Sequence, residues 1–383
     1  MSEWKKTRLG AICLPDGIQT GPFGSQLHQR DYSEAGTPVI MPKDIHDGTI
    51  SEEGIARVSQ EHVRRLKRHK VNENDIIYPR RGDVGKSAFI TKRETGWLCG
   101  TGCLRVSIDA AKALPRYVHL YLSLVDSVKW IENHSVGATM PNINSEILAN
   151  VPIALPSLSI QDRIAGILSD YDSAIANCRK QIALLEEAAM RLYREWFKDG
   201  KGEKKRLVEI ADVTYGYPFS SSLFNSKHEG LPIIRIRNVP LGFSDDYTTE
   251  VAKEAYLVHD GDLLIGMDGE FHMNFWSGGN AWLVQRTCRI QPKDSMLTGF
   301  LMEAIKNPIR AFQSSIVGST VGHLGKSDID TVDVPVIDDD RIPIAEVLQK
   351  MYCERLALSL QIRTLTEARD RLLPKLMKGE VAV

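Results

Sequence analysis

The chain has 383 residues, 43% hydrophobic and 25% charged, with a formal net charge of −1. That length suits two to three globular domains, and a near-neutral charge argues against a general polyanion binder. No apolar run is long enough to span a membrane, none near the N-terminus reads as a secretory signal, and six cysteines make no disulfide framework, so no membrane association and a cytoplasmic location are expected.

In chain order, the first half is strand-rich. Gly21-Pro22-Phe23-Gly24-Ser25 precedes GTPVIMPKDI (36–45), whose Thr37–Ile40 run has β character. Residues 57 to 93 then hold 11 Lys plus Arg against four acids, a local excess of +7 that reads equally as a solvated face or as a nucleic-acid contact. Further β-type runs follow at Asp75–Tyr78 within NENDIIYPRRG (72–82), at Ser87–Thr91 and at Leu104–Ile108, separated by Gly, Pro and Asn. A helical segment is predicted near 115–133, and the loop SVGATMPNI (135–143) comes after it.

A long helix starts within SLSIQDRI (157–164), with Ser159 as the expected cap and Asp162 three residues on. Its apolar or small residues are Ile160, Ile164, Ile167, Tyr171, Ile175, Cys178, Ile182, Leu185, Ala189, Leu192 and Trp196. Steps of three and four alternate, with one extra four near Ile175, which is a coiled-coil pattern with a slip. At the rise of an α-helix this segment is a rod of roughly 55 Å.

The second half repeats the first. GLPIIRIRNV (230–239) answers GTPVIMPKDI, VHDGDLLIGMDG (258–269) answers the Asp75 stretch with Asp262 in its place, and NAWLVQRTCRI (280–290) answers GWLCGTGCLRV (96–106) with Trp282 opposite Trp97. SIVGSTVGHL (315–324) answers the loop at 135–143, and QIRTLTEARDRL (361–372) answers QIALLEEAAMRL (181–192). The predicted strands are Pro232–Ile236, Asp262–Ile265, Ala281–Val284 and Thr287–Ile290, with a helical segment at 296–313. A unit of about 190 residues used twice is a duplicated domain plus helix, too long a period for a solenoid.

The second long helix carries Ile344, Val347, Met351, Arg355, Leu358, Ile362, Leu365, Arg369, Leu372 and Leu376, with Pro343 near its start and Pro374 in its last turn. The expected fold is α+β: two tandem mixed α/β domains, each followed by a long helix, the two helices pairing as an antiparallel coiled coil. The expected boundaries are 1–155 and 199–338 for the domains, and 156–198 and 339–383 for the helices. The alternative is that each helix packs on its own domain, which its length disfavours.

Catalytic patterns fail on inspection. GDVGKS (82–87) and GHLGKS (322–327) resemble phosphate loops, but Arg80 and Thr320 stand where a glycine is required. Cys99 and Cys103 have no second pair at zinc spacing, and no nucleophile–base set is evident. The pattern is that of a protein that binds and positions.

Taken together, the order of these stretches, twice, each time followed by a long helix, resembles the specificity (S) subunit of type I restriction-modification systems over the whole chain. The stretches carrying the resemblance are Gly21–Ser25 and Gly216-Tyr217-Pro218-Phe219-Ser220, the Gly-x-Pro-aliphatic strands, Asp75–Gly85, Gly137-Ala138-Thr139 and Gly318-Ser319-Thr320, and the junction NVPIALPSLSIQDRIAGILSDYD (150–172). The second junction, VDVPVIDDDRIP (332–343), departs from that form. The resemblance implies two target recognition domains reading unlike halves of a double-stranded DNA site, with the helices as spacer. It also implies two methyltransferase (M) subunits using S-adenosylmethionine, and restriction (R) subunits using ATP and Mg. No cofactor, metal or catalytic residue is then expected in this chain itself. Alternatives are a recognition subunit of another bipartite methyltransferase, an orphan specificity subunit, a coiled-coil scaffold without DNA binding, and an enzyme with an unrecognised site.

Arg favours guanine, Asn and Gln favour adenine, and Ser, Thr and Lys mostly hold phosphate. On that basis the expected DNA contacts in the first domain are Ser25, Gln26, Lys43, Arg80, Arg81, Lys86, Thr139 and Asn142. In the second they are Ser220, Ser221, Arg235, Arg237, Asn238, His272, Asn274, Thr320, His323 and Lys326. Other readings stand beside these. Arg235 and Arg237 alternate with Ile234 and Ile236 as on a strand's solvent face, Arg81 and Asp83 suit a local turn pair, and His323 suits an ordinary loop.

Overall fold

The computed structural model describes residues 4–23, 26–46, 48–137, 139–197, 203–315, 322–381 and 383. The chain forms two compact units: Met1–Tyr171 with Ala368–Val383, and Asp172–Glu367. Both are mixed α/β.

In the first unit, Cys13–Thr20, Cys103–Ile108, Ile76–Pro79 and Ala88–Phe89 form an antiparallel four-stranded sheet in that order. Ile76–Pro79 is buried along its whole length, as its unbroken apolar run requires. A second sheet has the order Leu98–Cys99, Thr37–Ile40, Ala56–Val58, Tyr32–Ser33, with its first pair parallel. Lys5–Arg8 pairs with Pro152–Leu155, tying the first strand to the segment that leads into the long helix. The segment expected at 115–133 is two helices, Pro115–Leu122 and Val125–His134. Ser123 and Ser127 hydroxyls donate to the carbonyls of Leu120 and Tyr121, at 2.8 and 2.9 Å, competing with helical bonding at the break.

The second unit repeats the plan. Ala211–Tyr215, Thr287–Pro292, Leu263–Gly266 and Met273–Phe275 make the antiparallel sheet. Phe224–Asn225, Tyr247–Thr248, Leu231–Ile234, Ala281–Leu283 and Leu257–Val258 make the second, with Leu231–Ile234 and Ala281–Leu283 parallel. The helix expected at 296–313 runs Thr298–Ser315.

Two repeated features explain the sequence echoes. Asp75 and Asp262 are turn acids, Asp75 buried and Asp262 partly buried. Asp75 accepts from the Asn72 N–H at 2.7 Å and the Ser107 hydroxyl at 2.5 Å, with Arg105 Nε at 3.8 Å. Asp262 accepts from the His259 N–H at 2.9 Å and from Gln291 Nε2 at 3.1 Å, with Arg289 Nη1 at 3.4 Å. Arg105 and Arg289 also donate to the carbonyls of Lys70 and Leu257. Burial pushes the Asp75 carboxyl up, against those donors and the Arg105 charge. Gly21 and Gly216 are the second feature: a Cβ on either would run into a carbonyl, that of Gly100 or of Val284.

The sheets also correct one alignment. Val39 pairs with Leu98, and its counterpart Ile233 pairs with Trp282. Leu98, not Trp97, therefore occupies the place of Trp282.

The first long helix is Leu158–Phe197 and the second Ile342–Met377. The Gln161 N–H donates to the Ser157 carbonyl at 3.0 Å, so the first helix begins earlier than expected and Ser159 lies inside its first turn. Ile164, Ala165 and Leu168, with Leu376 and Met377, belong to the core of the first unit. Leu192, Tyr193 and Phe197, with Ile344, Leu348 and Tyr352, pack on the core of the second. Trp196 and Val347, both assigned to the apolar stripes, are 44% and 38% exposed, because their neighbours Phe197 and Leu348 face the core instead. The second helix continues through Pro374, whose carbonyl still accepts the Lys378 N–H at 3.0 Å, its last turn held by the packing of Leu372, Leu373, Leu376 and Met377. Among the described residues no helix is long and apolar enough to cross a membrane.

Candidate nucleic-acid interface

In each unit the same three loops meet at one end of the antiparallel sheet. The first is a hydrogen-bonded turn: the Cys103 N–H donates to the Gly100 carbonyl, and the Thr287 N–H to the Val284 carbonyl, both at 3.2 Å. Its third residue has positive φ, +86° at Gly102 and +71° at Arg286. Glycine is the residue such a turn favours. The left-handed backbone at Arg286 costs about 1–2 kcal/mol.

The second loop leaves the strand Ile76–Pro79 or Leu263–Gly266. The Arg80 N–H donates to the Gly102 carbonyl at 2.6 Å, and the Met267 N–H to the Arg286 carbonyl at 2.8 Å. The third loop precedes a short helix and zips onto the second. Ile143 N–H donates to the Arg80 carbonyl at 2.9 Å and Gly82 N–H to that of Pro141 at 3.1 Å; Leu324 N–H donates to Met267 at 2.8 Å and Gly269 N–H to Gly322 at 2.9 Å. Arg81 thereby lies opposite Asn142, and Asp268 opposite His323.

On this shared frame the side chains differ. The first unit presents cations. Arg80 is half-buried with its Nε lacking a partner, and the exposed Arg81 has no side-chain hydrogen bond or ion pair among the described residues. Asp83 pairs with Lys86 Nζ at 2.8 Å rather than with Arg81. Thr139 and Met140 are exposed beside them. The second unit presents a mixed-charge network. Asp268 holds His323 Nδ1 at 2.5 Å and Arg286 Nε at 3.5 Å, with Arg286 Nη1 3.1 Å from the His323 ring. His272 Nε2 sits 3.1 Å from Glu270 Oε2 on the same loop.

Much of the basic segment is committed locally. Arg57 and Arg93 approach Glu52 at 3.5 and 3.7 Å, and Arg65 lies 3.8 Å from Asp31 while donating to the Gln26 carbonyl. Arg80, Arg81 and Lys86 are its members in the loop cluster.

The other expected contacts lie in turns, in the strand Met273–Phe275 and at the start of the helix Lys326–Asp330. Gln26 Oε1 caps the Phe23 N–H at 3.2 Å, and Lys43 Nζ donates to the Gly54 carbonyl at 2.8 Å. Pro42, beside Lys43, stands close enough that a Cβ on Gly102 would meet its Cγ at 3.3 Å. The Ser220 N–H donates to Glu250 at 2.8 Å, and exposed Ser221 opens the short 3-10 turn Ser221–Leu223. Arg235 is past the strand, which ends at Ile234, and its guanidinium lies over the Phe224 ring at 5.9 Å. Arg237 pairs with Asp246. Asn238 is buried and accepts the Arg235 N–H at 3.0 Å, the role Asp44 plays for Met41 in the first unit. Asn274 is engaged by Pro240, Phe275 and Arg355. Lys326 is exposed at the start of the helix Lys326–Asp330. Ser25 and Thr320 lie outside the described residues.

Arg286 and Asp268 escaped the sequence reading. With Trp97 set against Trp282, Gly102 falls opposite Thr287; the sheet register places it opposite Arg286. Among the described residues no three His, Cys, Asp or Glu side chains cluster as metal ligands. Cys99 and Cys103 are buried free thiols, pushed up by that burial, to about 12 for Cys99.

Comparison with known proteins agrees with this doubled arrangement. The family model described as the type I restriction modification DNA specificity domain matches residues 1–187 and again 200–357. The EcoBI specificity subunit of Escherichia coli is 33% identical over 170 residues, a match covering 44% of this chain and only 34% of that subunit. The MjaIX specificity subunit of Methanocaldococcus jannaschii is 24% identical over 100% of this chain and 97% of its own length. The crystal structure of a type I S subunit from M. genitalium shares the fold, with a TM-score of 0.58 at 16% identity over 97% of this chain and 96% of that one. With the family model matching each repeat in turn, the chain belongs to the specificity subunits of type I restriction-modification systems.

Proposed function

We propose that this chain reads an asymmetric, bipartite double-stranded DNA target, one half-site per unit, and positions M and R subunits that carry the chemistry. The observation that carries this reading is the loop cluster itself: one set of backbone hydrogen bonds, made twice, bearing Arg80, Arg81 and Asn142 in one unit and Asp268, Arg286 and His323 in the other. A constant frame with exchanged side chains is what two unlike half-sites require, since base edges are read by side-chain donors and acceptors. Lys43, Lys86, Thr139, Ser220, Ser221 and Lys326 suit phosphate contacts around it, with Gln26, Arg235, Arg237 and His272 at its rim. Asn238 and Asn274 act through the turns they hold. Ser25 and Thr320 complete the proposed set.

In this reading the domains are 1–155 and 199–338, and the helices 156–198 and 339–383 pair as an antiparallel coiled coil that sets the gap between half-sites. The Arg355 Nε to Glu186 Oε1 pair at 2.7 Å within the second unit supports that pairing. S-adenosylmethionine, ATP and Mg belong to the partner subunits. The test is a genome-wide map of N6-methyladenine in a host expressing the cognate M subunit with and without this chain. A chain-dependent motif of two unlike short half-sites with a fixed unread gap is expected; no new methylation, with M active alongside another S subunit, refutes the reading. Inserting four residues near Lys180 should change the gap or abolish methylation and leave both half-sites unaltered, because about one helical turn shifts and rotates one unit. Methylation at the unchanged gap refutes the spacer role.

A further inference from the structure

We infer that Arg286 is a base-reading residue of the second half-site and that its target is a guanine, approached through N7 and O6. The inference rests on the DNA-reading function proposed above. The turn Val284–Thr287 needs no side chain at its third position, since the same turn in the first unit has Gly102 there. An arginine at φ +71° is strained where glycine is not. What the strain secures is the placement of a guanidinium at the centre of the loop cluster.

Its surroundings fix its aim. Asp268 lies 3.5 Å from Nε and holds the His323 ring at 2.5 Å, and that ring stands 3.1 Å from Nη1. Nε and Nη1 are thus each held, by two residues that are themselves joined. Nη2 has no partner among the described residues, and the side chain is 54% exposed. A held, planar fork with Nη2 unpartnered and a second N–H left on Nη1 offers two donors to the two acceptors of guanine's major-groove edge, which a lysine's point charge does not.

The first unit supplies an independent argument. There the cluster's cations, Arg80 and Arg81, arrive on the loop after the strand, and the turn is glycine. In the second unit that loop carries Met267 and Asp268 instead, and the cation arrives on the turn. Each cluster keeps a guanidinium, delivered by a different loop.

The experiment uses the full chain assembled with its M subunit and maps methylated motifs for the native protein, Arg286→Gly and Arg286→Lys. Glycine fits the turn, so Arg286→Gly folds with a melting temperature no lower than native. Both variants are expected to leave the first half-site and the gap unchanged and to lose discrimination at one guanine of the second, with methylation of the native target falling about tenfold. Three results overturn the inference: an unchanged motif in Arg286→Gly, a native second half-site without guanine, or an equal loss across all sequences with a shallower salt dependence, the mark of a phosphate contact. Each of these leaves DNA recognition by the chain standing. A native protein that directs no motif at all removes both.

Discussion

The two loop clusters differ in where their charge sits, although their backbone bonds are the same. In the first unit Arg80, Arg81 and Lys86 share one loop, with Arg81 opposite Asn142 and Asp83 paired with Lys86. In the second, Asp268 ties Arg286 and His323 into one network. The difference teaches that this fold separates scaffold from reader. The main-chain bonds, the buried Asp–Arg pairs and the two close-approach glycines recur, while the side chains projecting from the loops are exchanged. On the proposed reading, duplication of such a domain gives two readers on two copies of one scaffold.

The largest expected effect breaks the scaffold in one unit at a time. Asp75→Ala leaves the largely buried Arg105 beside an unsatisfied turn, and Asp262→Ala does the same to Arg289; each should destabilise its own unit by about 3–5 kcal/mol, read by chemical denaturation. Equal damage from both variants is the signature of a shared frame, and a neutral Asp262→Ala would show that the pair matters in the first unit alone.

Acid should separate the units next. His119 is buried in the first unit with neither ring nitrogen hydrogen-bonded, and burial, with Arg116 nearby, lowers its pKa to about 3. Its folded pKa lies below the unfolded value of about 6.5, so the unfolded chain takes up the proton first. Stability is therefore full above about pH 6.5 and falls by about 1.4 kcal/mol per pH unit on the way down towards pH 3. His119→Leu should remove that slope, measured as the unfolding midpoint of the first unit between pH 6.5 and pH 4; a slope that persists assigns the acid sensitivity to other groups.

A smaller effect tests the reader in the first unit. Arg81→Ala should weaken binding of the assembled complex to its own target by about tenfold and leave assembly with the M subunit intact. Unchanged affinity takes Arg81 out of the reading surface. The smallest effect exchanges the turns: Gly102→Arg should cost about 1–2 kcal/mol, and Arg286→Gly should be stabilising by about 1 kcal/mol, both by thermal melting. If Gly102→Arg costs nothing, the positive-φ turn carries no strain and Arg286 is not held at a cost.

Much of this was legible in the sequence because it is local or repeated. The echo of Asp75 in Asp262 follows from a turn that needs a buried acceptor in each copy, and Gly21 with Gly216 from a backbone approach that admits no Cβ. The long helices show in their three-and-four steps. Individual stripe positions did not, since Leu348 rather than Val347 and Phe197 rather than Trp196 face the core once a helix docks on a domain.

By itself the sequence determined the duplication, the strand-rich domains, the long helices and the family, since each is written as order and periodicity along the chain. Only the tertiary structure decided which loops meet. Arg286 joins Asp268 and His323 across main-chain hydrogen bonds between segments far apart in sequence, and a one-residue shift in the sheet register sets it, rather than Thr287, in the place of Gly102. Proximity of that kind comes from strand pairing and packing, which act between segments and leave no mark within any one of them.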